Sequence, residues 1–332
     1  MITPIQPTPT WLRRYAKVVA ACTLFLIYAG AMVTSTGSGL AVPDWPLSYG
    51  MLMPPMIAGI FYEHGHRMIA ASVGLLTVFQ ALALQLREPK RFVRILGWCA
   101  LGAVVAQGVL GGLTVLLLLP PSVSISHAGL AEIFLGLNMS IAFFTSESFL
   151  RLREGEGDEH APTGLTTLLV ALVYLQILAG ALMRHLNAGL AIPDFPLSFG
   201  RLIPPFTSVA IAANFAHRVG ATLVTITVIA LAVRVYRSAS ALRPLMTVLL
   251  GLIALQIYLG AKVVWFGSAN PGAYHSLAGA TALRLASITS FHVVTGAATL
   301  ATSLLLALSA RATASQRIER QAGAFVASEV AA

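Results

Sequence analysis

Charge is scarce in this chain. Lys, Arg, Asp and Glu supply 10% of its 332 residues, where soluble domains carry about 25%, so a water-soluble globular fold is excluded. Cysteine is scarcer still. Cys22 and Cys99 both fall inside apolar stretches, which argues against a disulfide or a metal cluster; they read as small buried apolar side chains. Strand-like alternation is missing too, and with it a membrane barrel.

What the chain has is apolar length: 57% hydrophobic residues and a mean hydropathy of +0.81. A membrane-crossing helix needs roughly 20 apolar residues. Eight runs qualify, at 16–35, 67–86, 95–117, 125–146, 164–184, 217–236, 244–266 and 286–309. The first is too long for a removable signal peptide and lacks a small-residue cleavage site.

The net charge of +9 does not point to nucleic acid, because the cations sit beside the spans. Arg13, Arg14 and Lys17 precede the first, Arg87, Lys90, Arg91 and Arg94 separate the second from the third, and Arg151 and Arg153 follow the fourth. Arg234, Arg237 and Arg243 follow the sixth, and Arg311, Arg317 and Arg320 the eighth. Every even-numbered connection is basic, which predicts that these connections and both termini are cytoplasmic.

The chain also repeats itself. "STGSGLAVPDWPLSYGMLMPP" (35–55) aligns with "HLNAGLAIPDFPLSFGRLIPP" (185–205), "HRMIAASVGLLTV" (66–78) with "HRVGATLVTITVI" (217–229), and "QGVLGGLTVL" (107–116) with "QIYLGAKVVW" (256–265). Four spans per repeat return the chain to its starting side, so the halves are parallel repeats. The expected fold is therefore an all-α integral membrane protein of eight transmembrane helices in two four-helix bundles. Its expected parts are 1–150, a cytoplasmic linker at 151–163, a second bundle at 164–310 and a tail at 311–332. The doubled loop lies outside the membrane twice.

Four of the eight histidines share one position: His66 opens span 2, His127 opens span 4, His217 opens span 6, and His292 lies early in span 8. Ionisable residues within spans are costly and mark functional sites. A lone histidine at a helix end is usually a satisfied polar residue. Two per four-helix bundle at matching depth instead form the arrangement that clamps a haem iron from both sides. His64 stands two residues from His66, about 200° round a helix, so the two cannot face one iron. His160 lies in the linker, His185 has Ser35 as its repeat partner, and His275, in an outer loop, is the rival to His292.

Arg67 and Arg218 directly follow ligand histidines. Each is either a snorkelling anchor or a planar fork that holds a haem propionate beneath the loop lid. Asp44 and Asp194, in the loops, read as helix caps or arginine partners. The halves differ at one place: Glu63 stands three residues before His66, and Asn214 three residues before His217. An acid in one half alone suggests divided labour, with proton movement or cation stabilisation there and electron transfer in the other. Glu132, five residues past His127, belongs either to a proton path or to a hydrogen bond between helices.

These residues resemble the heme A synthase family. The likeness spans roughly residues 15–310 and rests on "GSGLAVPDWPLSYG", on Glu63-x-x-His66-Arg67, on "SISHAGLAE" around His127, on "AHR" with His217 and Arg218, and on His292. It implies a bacterial-type inner-membrane enzyme that oxidises the C8 methyl group of haem O to a formyl group, giving haem A for terminal oxidases. It implies that His66, His127 and Glu63 receive the substrate haem, and that His217 and His292 hold a haem b cofactor. Many bacterial members carry two cysteines in the first outer loop; here those positions are Val42 and Ser48, so a thiol role in that loop is absent. So lipophilic a substrate favours direct hand-over from a haem O synthase. Terminal oxidase assembly factors and a second copy of the chain are further candidate partners, and the electron acceptor stays open. The competing readings are a dihaem electron-transfer protein of cytochrome b type that exchanges electrons with quinone, a transporter, and a haem chaperone or exporter.

Overall fold

A computed structural model describes residues 7–154, 161–273 and 279–331. Among the described residues nine α-helices follow one another: α1 (Thr10–Ser35), α2 (Ala58–Arg87), α3 (Arg91–Leu116), α4 (Pro121–Phe144), α5 (Glu147–Glu154), α6 (Thr163–His185), α7 (Val209–Ser238), α8 (Arg243–Ala269) and α9 (Gly279–Ala331). Among the described residues no strand forms; the only β pairing is two isolated bridges, Ser48 with Met51 and Ser198 with Arg201. Every helix except the short α5 is long and apolar enough to cross a membrane, since a segment in lipid must satisfy its backbone internally. The chain is a multi-pass membrane protein.

Helix boundaries depart from the expected spans in one direction. α2 and α7 begin at Ala58 and Val209, about two turns before the apolar runs do, because polar residues such as Glu63, His64 and Asn214 interrupt the run without blocking a helix. His66 and His217 therefore lie eight residues inside their helices rather than at the opening. The eighth span, expected at 286–309, is part of a helix that reaches Ala331, so residues 311–331 of the expected tail are helical. Proline starts α4 at Pro121 and sits at the start of α8 (Pro244), where its missing N–H has no helical partner to lose. Ser208 caps α7 by accepting a hydrogen bond from the Ile211 amide at 3.2 Å.

Helix contacts run α1–α2–α3–α4 and back to α1, then α6–α7–α8 and on through α9 back to α6. One apolar core, with Leu84, Phe134 and Ile141, fills the first ring; another, with Leu231, Met246 and Leu249, fills the second. The rings meet where α9 packs on α1 and α4, and α4 on α6, with Leu135 against Ala297 and Ala301. Ser290 donates to the hydroxyl of Ser35 across that seam at 2.9 Å. α4 and α9 thus stand at the centre. Among the described residues the backbone of α2 comes close only to α1 and α3, and that of α7 only to α6, α8 and the 3-10 turn Ser240–Leu242, so both lie at the rim. A buried polar cluster lies in the first ring: Gln80 donates to Asn138 at 2.8 Å, and Asn138 donates to Thr23 at 3.4 Å and to the Phe134 carbonyl at 3.1 Å.

Candidate functional site

All four singled-out histidines lie on the even members of the two rings: His66 on α2, His127 on α4, His217 on α7 and His292 on α9. Each imidazole rests on a glycine of the preceding helix. A Cβ built on Gly30 would stand 3.0 Å from Cε1 of His66, one on Gly111 3.3 Å from His127, one on Gly180 3.1 Å from His217 and one on Gly260 3.2 Å from His292. Gly30, Gly111 and Gly180 each come five residues before their helix ends, which sets three of the rings at one depth. Gly260 comes nine before the end of α8, and His292 lies thirteen into α9, so the fourth helix pair simply runs further past the same level. His66 and His127 are close enough for a charge on one to act on the other, and so are His217 and His292. The pairing is one pair per ring.

Glutamines stand beside three of these histidines. Gln107 donates to the His127 carbonyl at 2.8 Å. Gln176 reaches the His217 carbonyl at 2.7 Å and its Nδ1 at 3.0 Å, and Gln256 lies 3.4 Å from Nε2 of His292. Neither the glycines nor the glutamines were singled out from the sequence. The signal was present, since Gln107 and Gly111 recur as Gln256 and Gly260 in the aligned repeat.

The α1–α2 and α6–α7 loops are bolted to the helices that carry His66 and His217. Arg67 donates to the carbonyls of Asp44 (2.7 Å), Leu47 (2.8 Å) and Val42 (3.3 Å). Arg218 does the same to Asp194 (2.8 Å), Leu197 (2.9 Å) and Ile192 (3.0 Å). Of the roles expected for the arginines, lid contact is the one these bonds describe. Asp44 and Asp194 correct their expected role: they cap no helix. Each receives two loop amides, from Tyr49 and Gly50 (2.6 and 2.8 Å) or from Phe199 and Gly200 (2.7 and 2.8 Å). Those residues have positive φ, 54° and 69° in one loop and 57° and 71° in the other, as the two central residues of a tight hairpin turn require, which is why glycine recurs there.

The amide bonds, Gly50 first and then Tyr49, hold the Asp44 carboxyl below its ordinary range; the Gly200 amide leads the same effect at Asp194. A carboxylate with a depressed folded value stabilises its loop above the unfolded range and loses that effect only as pH falls through the folded value. Amide exchange at Tyr49, Gly50, Phe199 and Gly200, corrected for its intrinsic pH dependence, should therefore stay slow at pH 5. It should quicken only below the ordinary carboxylate value of 3.8. Loss of protection between pH 7 and 5 would show that the carboxylates do not hold the turns.

Glu63 is buried within α2, not an exposed loop acid. Its Oε1 pairs with Arg67 at 2.6 Å and its Oε2 accepts the Val42 amide at 2.8 Å. Asn214, at the matching place, donates to the carbonyls of Ala188 (2.7 Å) and Gly189 (3.1 Å). Both side chains steady a loop, one as an anionic acceptor and the other as a neutral donor. His64 turns away from His66, with Nδ1 2.8 Å from the Ser48 hydroxyl. Ser48, one of the positions where many family members carry cysteine, is thus a buried hydrogen-bond partner. Glu132 is buried on α4 with Oε2 unpartnered, and among the described residues no hydrogen bond joins its side chain to another helix. His185 is partly exposed at the end of α6. His160 and His275 lie outside the described residues.

Among the described residues no three His, Cys, Asp or Glu side chains gather around one point, so a bare metal ion has no ligand set. The donors do suit a haem, which needs two imidazoles and a slot between helices. Three of the four rings keep a buried Nδ1 with no partner, at His66, His127 and His292, and each leans on a glycine that a side chain would displace. Overpacking costs about 1–3 kcal/mol. Gly180→Val should accordingly lower haem retention about tenfold or more in purified protein, read by the haem absorbance per chain. Gly74→Val, in open space, should not; equal retention in the two would detach the glycines from the site.

Eight long apolar helices, with buried histidines beside clamped loops, define a multi-pass membrane protein. The model of the cytochrome oxidase assembly protein family matches residues 13–61 and 57–288. The heme A synthase of Symbiobacterium thermophilum is 33% identical over 227 residues, covering 66% of this chain and 74% of its own. That of Shouchella clausii is 26% identical over 284 residues (80% and 91%), and that of Bacillus cereus strain 03BB102 28% identical over 267 (76% and 85%). The chain belongs to the heme A synthase family.

Proposed function

We propose that this chain oxidises the C8 methyl group of haem O to the formyl group of haem A, with substrate in the ring of α1–α4 and a haem b cofactor in the ring of α6–α9. The change replaces two hydrogens by a doubly bonded oxygen, a four-electron oxidation. Haem iron held by His217 and His292 would supply one-electron transfer. His66 and His127 would fix the substrate haem, and Arg67 and Arg218 would keep the lids over the haem edges. Glu63 would hold or accept a proton at Oε1, the oxygen that faces Arg67. The observation that carries this reading is the buried Glu63 beside one histidine pair and Asn214 beside the other. General acid–base groups contribute about 10²–10⁴-fold to rate, and only the first ring has one at that place.

The same reading puts the termini in the cytoplasm and the four histidines toward the outer face of a bacterial inner membrane. The basic residues between α2 and α3 and after α4, α7 and the apolar part of α9 support it. It also treats the two rings as duplicated domains, a view that the matching Arg67 and Arg218 clamps favour.

One observation favours a second reading. Both oxygens of Glu63 are engaged in structural bonds, as they would be in a dihaem relay that makes no product. Expression in a host that makes haem O but no haem A separates the two. Haem A or its hydroxylated intermediate in purified protein and membranes, identified by chromatography and mass, is the expected result. Haem b alone, with haem O present, would leave the relay.

A further inference from the structure

The outer loops end in tips that their clamps leave free. In the first, residues 51–57 (MLMPPMI) carry no charge, and Leu52 is 85% exposed, Met53 60% and Ile57 64%. In the second, residues 201–207 (RLIPPFT) repeat the pattern with one arginine, and Leu202 is 83% and Ile203 64% exposed. Large apolar side chains presented this openly, and side by side, mark an interaction surface. The tips are also held out. Arg67 with Asp44, and Arg218 with Asp194, fix the loop roots, and Pro54–Pro55 and Pro204–Pro205 stiffen the return to the helix by restricting φ.

The exposed apolar surface does not stop at the tips. Ile57 leads straight into α2, and the exposed Val209 opens α7, so tip and span form one greasy face. Trp45, Tyr49 and Phe199, all exposed, stand beside the tips, in keeping with the aromatic belts found where membrane meets water.

We infer that residues 51–57 and 201–207 are immersed in the lipid leaflet on their side of the membrane, at the boundary between headgroups and acyl chains. The occupant of this surface is lipid, because the surface continues the membrane-facing helices, is almost without charge, and recurs on both halves. Arg201 snorkels to the headgroups from the second tip. The lids over the histidine pairs are thereby moored at membrane level, and the edge of each site opens toward acyl chains. The inference requires only the loops and the spans, and holds whatever chemistry the histidines support.

The test places a nitroxide at Leu52→Cys or Leu202→Cys in the full chain, with Cys22 and Cys99 replaced by Ala, in vesicles of phosphatidylcholine alone. Oxygen, which partitions into lipid, should relax both labels more strongly than a water-soluble nickel chelate. A label at Arg151→Cys, on α5, should show the reverse. If the cysteine replacements impair folding, the unaltered chain gives a second reading. Water-borne hydroxyl radicals should oxidise Met53 in vesicles at least tenfold more slowly than in the unfolded chain. Tip labels relaxed chiefly by nickel, or Met53 oxidised at the unfolded rate, would leave the tips standing in water and refute lipid immersion.

Discussion

Glu63→Gln is expected to leave both haems bound and to lower haem O oxidation by about 10²-fold or more, the usual contribution of a general acid or base. The substitution is close to isosteric. The glutamine side chain can still accept the Val42 amide, so the loop root stays in place, and no iron-binding side chain is touched. What disappears is the negative charge beside Arg67 and the proton site at Oε1. Asn214 shows that an uncharged side chain at this place is compatible with a closed loop and a seated histidine. The measurement is the ratio of haem A plus hydroxylated haem to haem O in extracts, beside total haem per chain. Full activity would remove Glu63 from the chemistry and leave it a fastener. Loss of haem together with activity would make it a structural acid.

The second large effect concerns the other ring. His217→Leu and His292→Leu are each expected to abolish stable haem b in purified protein, a loss of more than about tenfold. A five-coordinate haem held by one imidazole loses its opposing clamp, and leucine at either position puts an apolar side chain where Gly180 or Gly260 now backs a ring. The ring of α1–α4 should still fold, because its apolar core lies within those helices. Absorbance and haem extraction would read the result. Undiminished haem b in both variants would refute the assignment. Loss in His292→Leu also decides against His275, which that variant leaves intact.

The eight spans were legible because continuous apolar runs in a chain so poor in charge have no other low-cost fold. The starts of α2 and α7 were not, because Glu63, His64 and Asn214 interrupt the apolar run while the helix passes through them. The placing of four histidines within the helices of the repeat was legible from their doubled spacing, since an imidazole in a span is too costly to recur by accident. The role of the arginines was only half legible. Sequence offered propionate, anchor or lid, and the loop carbonyls that Arg67 and Arg218 bind are brought to them by a turn whose closure no linear pattern displays. The glycines beneath the histidines escaped notice for a simpler reason: in a membrane helix glycine is common, and only proximity reveals that its missing side chain is occupied by a ring.

The position of α2 and α7 at the rim has a mechanical consequence. Each histidine pair takes one imidazole from a central helix, α4 or α9, which is packed on both rings, and one from a helix whose close helical neighbours lie in its own ring. Each pair is therefore set like a vise, with one jaw packed into the seam between the rings and the other at the rim. Swinging α2 outward separates His66 from His127 and carries the Arg67-bound loop with it, while the contacts of α9 with α1 and α4 stay as they are. A bulky planar guest can then leave sideways from one half without loosening the other.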